Sequence, residues 1–157
     1  MKQTDFAIQM TRFFTMFLPT RRYLSNATIS SYRDTFKLFL SFAEREKGIL
    51  ADRMTLRDFT ESLICDFINW LAVTRENSPA TQKQRLAAIH VFVNYLKTRV
   101  PDYLLEFQRI LSIKVSVNRQ PDVGHFTVSQ IELILAAPET NHRYGRRDMV
   151  LLSLMYD

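Results

Sequence analysis

Apolar residues recur at three- and four-residue spacing through five successive segments of the first 110 residues, and no stretch sustains the alternation of a strand. That periodicity confines the region to a helical bundle. Phe6, Met10, Phe13, Phe14 and Phe17 predict a first helix over 4–18, stopped by Pro19, and Arg21-Arg22 follow in a loop. The second, about 26–47, buries Ile29, Tyr32, Phe36, Phe39, Leu40 and Ala43, with Gly48 as its C-cap. The third, about 60–74, is capped by Thr60, carries Glu61 in its first turn, and packs Ile64, Phe67, Ile68 and Leu71 with Trp70 alongside. The fourth, about 79–98, buries Leu86, Ile89, Val93 and Leu96 and places Phe92 at the edge of its stripe. A short fifth follows Pro101 through Tyr103, Leu104, Phe107 and Ile110.

Twelve Phe and a 46% hydrophobic content supply a core, while three Gly and five Pro argue against both disorder and an all-β fold. The lone Cys65 excludes an internal disulfide and a cysteine-rich zinc site, and its place on the apolar side of the third helix predicts a buried thiol. Neither a signal peptide nor a membrane span is expected, so the chain reads as a soluble cytoplasmic protein.

Residues 111–125 break the helical period, with Pro121 and Gly124, and form the expected linker. Thr127 and Gln130 then make a capping box for a helix to about Ala137 carrying Ile131, Ile134 and Leu135. A polar loop through Pro138 and Asn141 leads to Arg146-Arg147-Asp148, and 148–156 is expected to form a helix apolar on nearly every side. Such a helix needs burial all round. One short companion cannot supply it, so the chain is expected to stop inside a second domain whose remainder is absent.

The second and fourth helices open alike, with Ser25-Asn26-Ala27-Thr28 and Ser78-Pro79-Ala80-Thr81. Ser suits the N-cap, Thr falls in the first turn, and Pro79 occupies the first helical position, where its missing N–H costs nothing. Ser30, Arg33, Lys37 and Ser41 lie on the polar side of one helix, and Lys83, Gln84, His90 and Asn94 on that of the other. Helix N-termini attract anions, and Lys, Arg and amides reach phosphates and base edges. Two ordinary surface helices with good caps would look the same, but the charge distribution favours a polyanion. The net +5 resolves into +4 over 1–50, −2 over 51–74, +5 over 75–120 and −2 over 121–157. Positive charge therefore concentrates in the two blocks that hold these helices.

Together these residues resemble the tyrosine recombinase family, the phage-integrase and Xer-like site-specific recombinases. Ser25-x-x-Thr28-x-x-x-Tyr32 with Phe36, Phe39 and Phe42 is similar to the second helix of that family's core-binding domain. Ser78-x-x-Thr81-x-x-x-Arg85-Leu86-x-x-Ile89-x-x-Phe92-x-x-Tyr95 is similar to its fourth. The helix after Phe126-Thr127 resembles the first of the catalytic domain, and Arg147-Asp148 with the run to Tyr156-Asp157 resembles the helix leading into a Thr-Gly-x-Arg turn. The resemblance implies an all-α, SAM-like core-binding domain over 1–110, an extended linker over 111–126, and the N-terminal fragment of a catalytic domain over 127–157. It implies double-stranded DNA as partner, bound through Thr28, Ser30, Arg33, Lys37, Thr81, Lys83, Gln84, His90 and Asn94, with other recombinase protomers on DNA in the full-length parent.

The family breaks and rejoins DNA strands through a phosphotyrosine, with an Arg–Lys–His–Arg–His/Trp set at the phosphate. Those residues would lie beyond Asp157, and Tyr144 and Tyr156 do not sit in the nucleophile's context, so no catalytic residue is expected here. His90, His125 and His142 are scattered without metal-ligand spacing, and no metal or cofactor is expected. The competing reading is a helical protein-interaction module, which would show an exposed apolar groove rather than a shared polar face.

Overall fold

A computed structural model of the chain describes residues 3–21, 24–115, 126–139 and 141–156, the side chain of Tyr156 excepted. Within these the fold is all-helical, without a strand. The chain divides into two compact units, Met1–Val117 and Asn118–Asp157. The expected linker largely falls on 116–125, outside the described residues, as do Arg22 and His125.

In the first unit, α1 (Asp5–Arg12) starts at Thr4, whose hydroxyl accepts the Ala7 N–H. Asp5 then ties the helix to a distant loop, its Oδ1 accepting the Leu56 N–H at 3.0 Å. The predicted single helix to residue 18 is corrected in two respects. After Arg12 the backbone widens into a π-helical turn over Phe13–Phe17, and it tightens into a 3-10 turn over Leu18–Thr20 that contains Pro19. Pro19 has no N–H to donate back to residue 15, so the regular ladder must change there. A π-turn advances side chains by one extra residue per turn. Here it seats Phe13 5.0 Å from Phe92 and Phe17 4.9 Å from Tyr95, centroid to centroid.

The long helix α2 (Asn26–Lys47) ends at Gly48, whose φ of 68° is left-handed, and the Ile49 N–H closes back onto the Ala43 carbonyl. Next, α3 (Glu61–Val73) is capped by Thr60, and its Glu61 N–H donates to a carboxylate oxygen of Glu106 at 2.6 Å. The helix α4 (Pro79–Lys97) passes into a 3-10 turn (Pro101–Tyr103) and α5 (Leu104–Ser112). Between α2 and α3 lies a loop that contributes Met54, Leu56 and Phe59 to the buried core.

Phe92 is at the centre of that core, not at the edge of the stripe. It is fully buried, with its ring 5.0–6.0 Å from Phe6, Phe13, Phe36, Phe59 and Tyr95. Elements from both sides converge on α4, so its apolar arc is wider than one stripe. Cys65 is the opposite correction: it is exposed, on a flank of α3 that no other helix covers fully. Partial desolvation nevertheless raises its thiol pKa, and Glu61 and Asp66 add to that rise.

In the second unit α6 (Val128–Ala136) has the expected capping box, with Thr127 and Gln130 each bonding the other's backbone N–H. The last helix, α7, runs over Arg143–Tyr156 and starts several residues before the expected position, taking in Arg146 and Arg147. Gly145 is needed at its start, since a Cβ there would collide with the Glu139 carbonyl. Among the described residues of this unit none is buried, and Val150, Leu151, Leu154 and Met155 are exposed.

Candidate nucleic-acid interface

The repeated Ser-x-Ala-Thr pattern folds into two copies of one cap. Ser25 Oγ accepts the Thr28 N–H at 3.1 Å and lies 2.9 Å from the Thr28 hydroxyl; Ser78 does the same with Thr81 at 3.3 and 3.1 Å. In each helix this satisfies one of the N–H groups that a first turn leaves unpaired and fixes the Thr hydroxyl beside the positive helix end. Thr28 and Thr81 are half-buried, and each keeps hydrogen-bonding capacity for a second partner.

Two side-chain bonds join the helices along one seam. Gln84 Nε2 donates to Ser31 Oγ at 3.0 Å, and Arg85 Nη1 donates to Thr35 Oγ1 at 3.1 Å. Thr35 is fully buried and passes its own proton to the Ser31 carbonyl. The chain Arg85–Thr35–Ser31 is therefore directional, the Thr35 hydroxyl accepting from Arg85 and donating to Ser31. Sequence reasoning missed Ser31, Thr35 and Arg85 as interface-shaping residues. Gln84, expected to meet DNA, is already spent in part on the seam.

The expected contact residues do not all share one surface. At about 100° per residue, Lys83 and Asn94 stand within about a quarter turn of Gln84, exposed beside the seam. Ser30, Lys37 and Arg33 are exposed together on another side of α2, within about 60° of one another and on the order of 100–160° of arc from Ser31. Lys37 approaches Asp34 at 3.9 Å, an exposed pair that contributes little.

His90 faces the opposite neighbour. Its Nε2 is 3.1 Å from the Ile110 carbonyl near the end of α5, and because a carbonyl only accepts, Nε2 carries the proton. Burial lowers the imidazole pKa, and the Ile110 bond partly opposes this. The ring therefore braces α4 against α5, leaving Nδ1 as its other polar atom. Among the described residues no group of His, Cys, Asp and Glu is arranged to hold a metal ion. None of the described helices is long and apolar enough to cross a membrane.

Residues 12–102 match the phage integrase N-terminal SAM-like domain. The chain is 33% identical over 151 residues to "Putative integrase/recombinase y4rC" of Sinorhizobium fredii, covering 96% of this chain and 46% of that protein. A second S. fredii protein, "Putative integrase/recombinase y4rD", is 29% identical over 89% of this chain and 50% of its own length. Tyrosine recombinase XerC of Pelobacter propionicus is 26% identical over 95% of this chain and 47% of its own. The chain thus spans about half the length of the curated relatives it matches. No solved structure gives a significant match.

Proposed function

Since the chain belongs to the tyrosine recombinase (phage integrase) family, we propose that it serves as the DNA-binding N-terminal part of a site-specific recombinase. In this reading 1–110 is the core-binding domain, 111–126 the linker, and 127–157 the opening of a catalytic domain. DNA integration and recombination belong to the full-length parent. The observation that carries the proposal is the pair of identically capped helices joined by Gln84–Ser31 and Arg85–Thr35. The seam holds two positive helix ends and the exposed Lys83 and Asn94 in fixed relation.

Thr28, Thr81 and Lys83 meet phosphates, and Ser30, Arg33 and Lys37 meet the backbone from their shared exposed side of α2. Asn94 is the residue best placed to read a base edge. Gln84 acts chiefly by holding the seam, and His90 by bracing α5. Phosphate contacts dominate, so binding is salt-sensitive and weakly selective. No residue of this chain is assigned to strand cleavage.

The test is fluorescence anisotropy with a labelled duplex across a salt series. Lys83→Ala and Arg33→Ala each weaken binding and each reduce the slope of log K against log salt by about one unit. Duplex affinity that the two changes together leave intact removes the proposal. A helical interaction module is the second reading. It is favoured by one observation, an apolar groove of about 280 Å³ in the second unit lined by Phe126, Ile131, Ile134, Leu135, Leu152 and Met155. Absence of duplex binding at low salt would put that reading first.

A further inference from the structure

Away from the Ser31–Gln84 seam, the turn that ends at Thr20 and the last part of α4 enclose two adjoining hollows, of about 680 and 510 Å³. They share Phe17, Thr20, Tyr95 and Arg99; Arg21 and Asn94 line the first and Arg12 the second. Three guanidiniums thus line the two adjoining hollows, Arg99 belonging to both, and among the described ion pairs none of them has a carboxylate. Their charge reaches the site itself, because Arg99 and Arg12 both lower the pKa of the Tyr95 hydroxyl against the larger upward push of burial.

Two of the three lie over aromatic rings. Arg21 lies 4.4 Å over the Phe17 ring, and Arg99 lies 4.1 Å over Tyr95 and 5.8 Å from Phe17. A guanidinium stacked on a ring loses rotamer freedom before any ligand arrives, yet its N–H groups point outward in its own plane. Arg99 spends Nη1 on the Tyr95 carbonyl and Thr98 hydroxyl, which leaves the Nε and Nη2 N–H groups. That is the fork that matches two oxygens of a phosphate. The π-turn builds the platform, since it brings Phe17 against Tyr95.

We propose that Arg21 and Arg99 form a phosphate clamp, supported by Arg12, that grips the DNA backbone beside the face presented by α2 and α4. The clamp rests on the DNA-binding reading above and extends it, with Asn94 shared between the first hollow and that face. A backbone diester oxygen pair enters edge-on to the two stacked guanidiniums. The Thr20 hydroxyl donates its one proton to the Phe17 carbonyl and so has none to offer an anion.

The test compares duplex binding by the whole chain, by Arg21→Gln/Arg99→Gln, by the charge-keeping Arg21→Lys/Arg99→Lys, and by Lys83→Ala/Arg33→Ala. The Gln pair lowers affinity roughly tenfold per arginine and the salt slope by about two units. The Lys pair keeps the slope but loses part of the affinity, since an ammonium neither stacks nor forks. If the Gln pair fails to fold, the unmodified chain labelled with 15N-arginine decides. Arg21 and Arg99 Nε–Hε signals that move on titration with duplex support the clamp, and signals that stay fixed while the duplex binds overturn it. Gln-pair affinity within twofold of the parent, with Lys83→Ala/Arg33→Ala still weakened, overturns the clamp and spares the DNA-binding reading. A parent chain that binds no duplex overturns both.

Discussion

Replacing Phe92 with Ala should cost about 4–5 kcal/mol, most of the stability of a domain this size. The side chain is fully buried, and five aromatic rings lie 5.0–6.0 Å from its own. Truncation of a buried Phe costs about 3–5 kcal/mol through lost transfer energy and the cavity left behind. Each favourable ring pair adds about 0.5–1.5 kcal/mol beyond area, though overlapping pairs do not sum. Rings arriving from α1, the π-turn, α2 and the 54–59 loop cannot all move inward, so the cavity persists and the upper part of the range applies. Phe92→Leu keeps most of the volume and loses the ring pairs, so it should cost about 1–2 kcal/mol. Trp70, the single tryptophan, lies 5.4 Å from Phe42 in the same core and reports unfolding by fluorescence. At about 1–3 kcal/mol per molar urea, the Ala variant's midpoint should fall by roughly 1.3–5 M. Val73→Ala, at a position 70% exposed, should stay within about 0.5 kcal/mol of the parent. An Ala variant that loses under about 1.5 kcal/mol, with an unchanged denaturant slope, would refute Phe92 as the centre of the core.

Three further outcomes are expected. The His90 pKa is lower in the folded chain, so the unfolded state takes up the proton first; stability is full above about pH 6.5 and falls as pH drops through that value. His90→Gln, which can still donate to the Ile110 carbonyl, should flatten that part of a pH–melting curve. Gly48→Ala should cost about 1–2 kcal/mol by urea titration, a purely backbone penalty because a Cβ there meets nothing within 4 Å. Amides of α7 should exchange at least roughly tenfold faster than those of the middle of α2, since no described side chain of the second unit is buried; equal protection in a dilute monomer would count against this.

Helix positions were legible wherever one apolar arc faced one neighbour. The span of α2, its Ser25 and Gly48 caps, and the capping box of α6 follow from residue types that act within four or five positions of one another. The same locality made the paired Ser–Thr caps readable. Three features escaped, two of them because their causes are distant in sequence. Met54, Leu56 and Phe59 lie in a loop with no period, yet they are buried because Asp5 and the surrounding helices close over them. Cys65 follows the apolar side of α3 by spacing, but the neighbouring Gln82 and residues 113–115 leave it exposed. Phe13–Phe17 reads as plain α-helix, and the π-turn emerges where Pro19 interrupts the ladder.

By itself, then, the sequence determined the helical class, the positions of most helices, the duplicated caps and the block-wise positive charge, all set by local sterics, local hydrogen bonds and composition. Tertiary structure alone decided which polar groups meet. It turned Gln84 and Arg85 onto Ser31 and Thr35, and His90 onto Ile110. It gathered Arg12, Arg21 and Arg99 around Phe17 and Tyr95. A helix's periodicity says which residues share its face but carries no record of the neighbour that face will meet, because burial is gained against any partner of suitable shape.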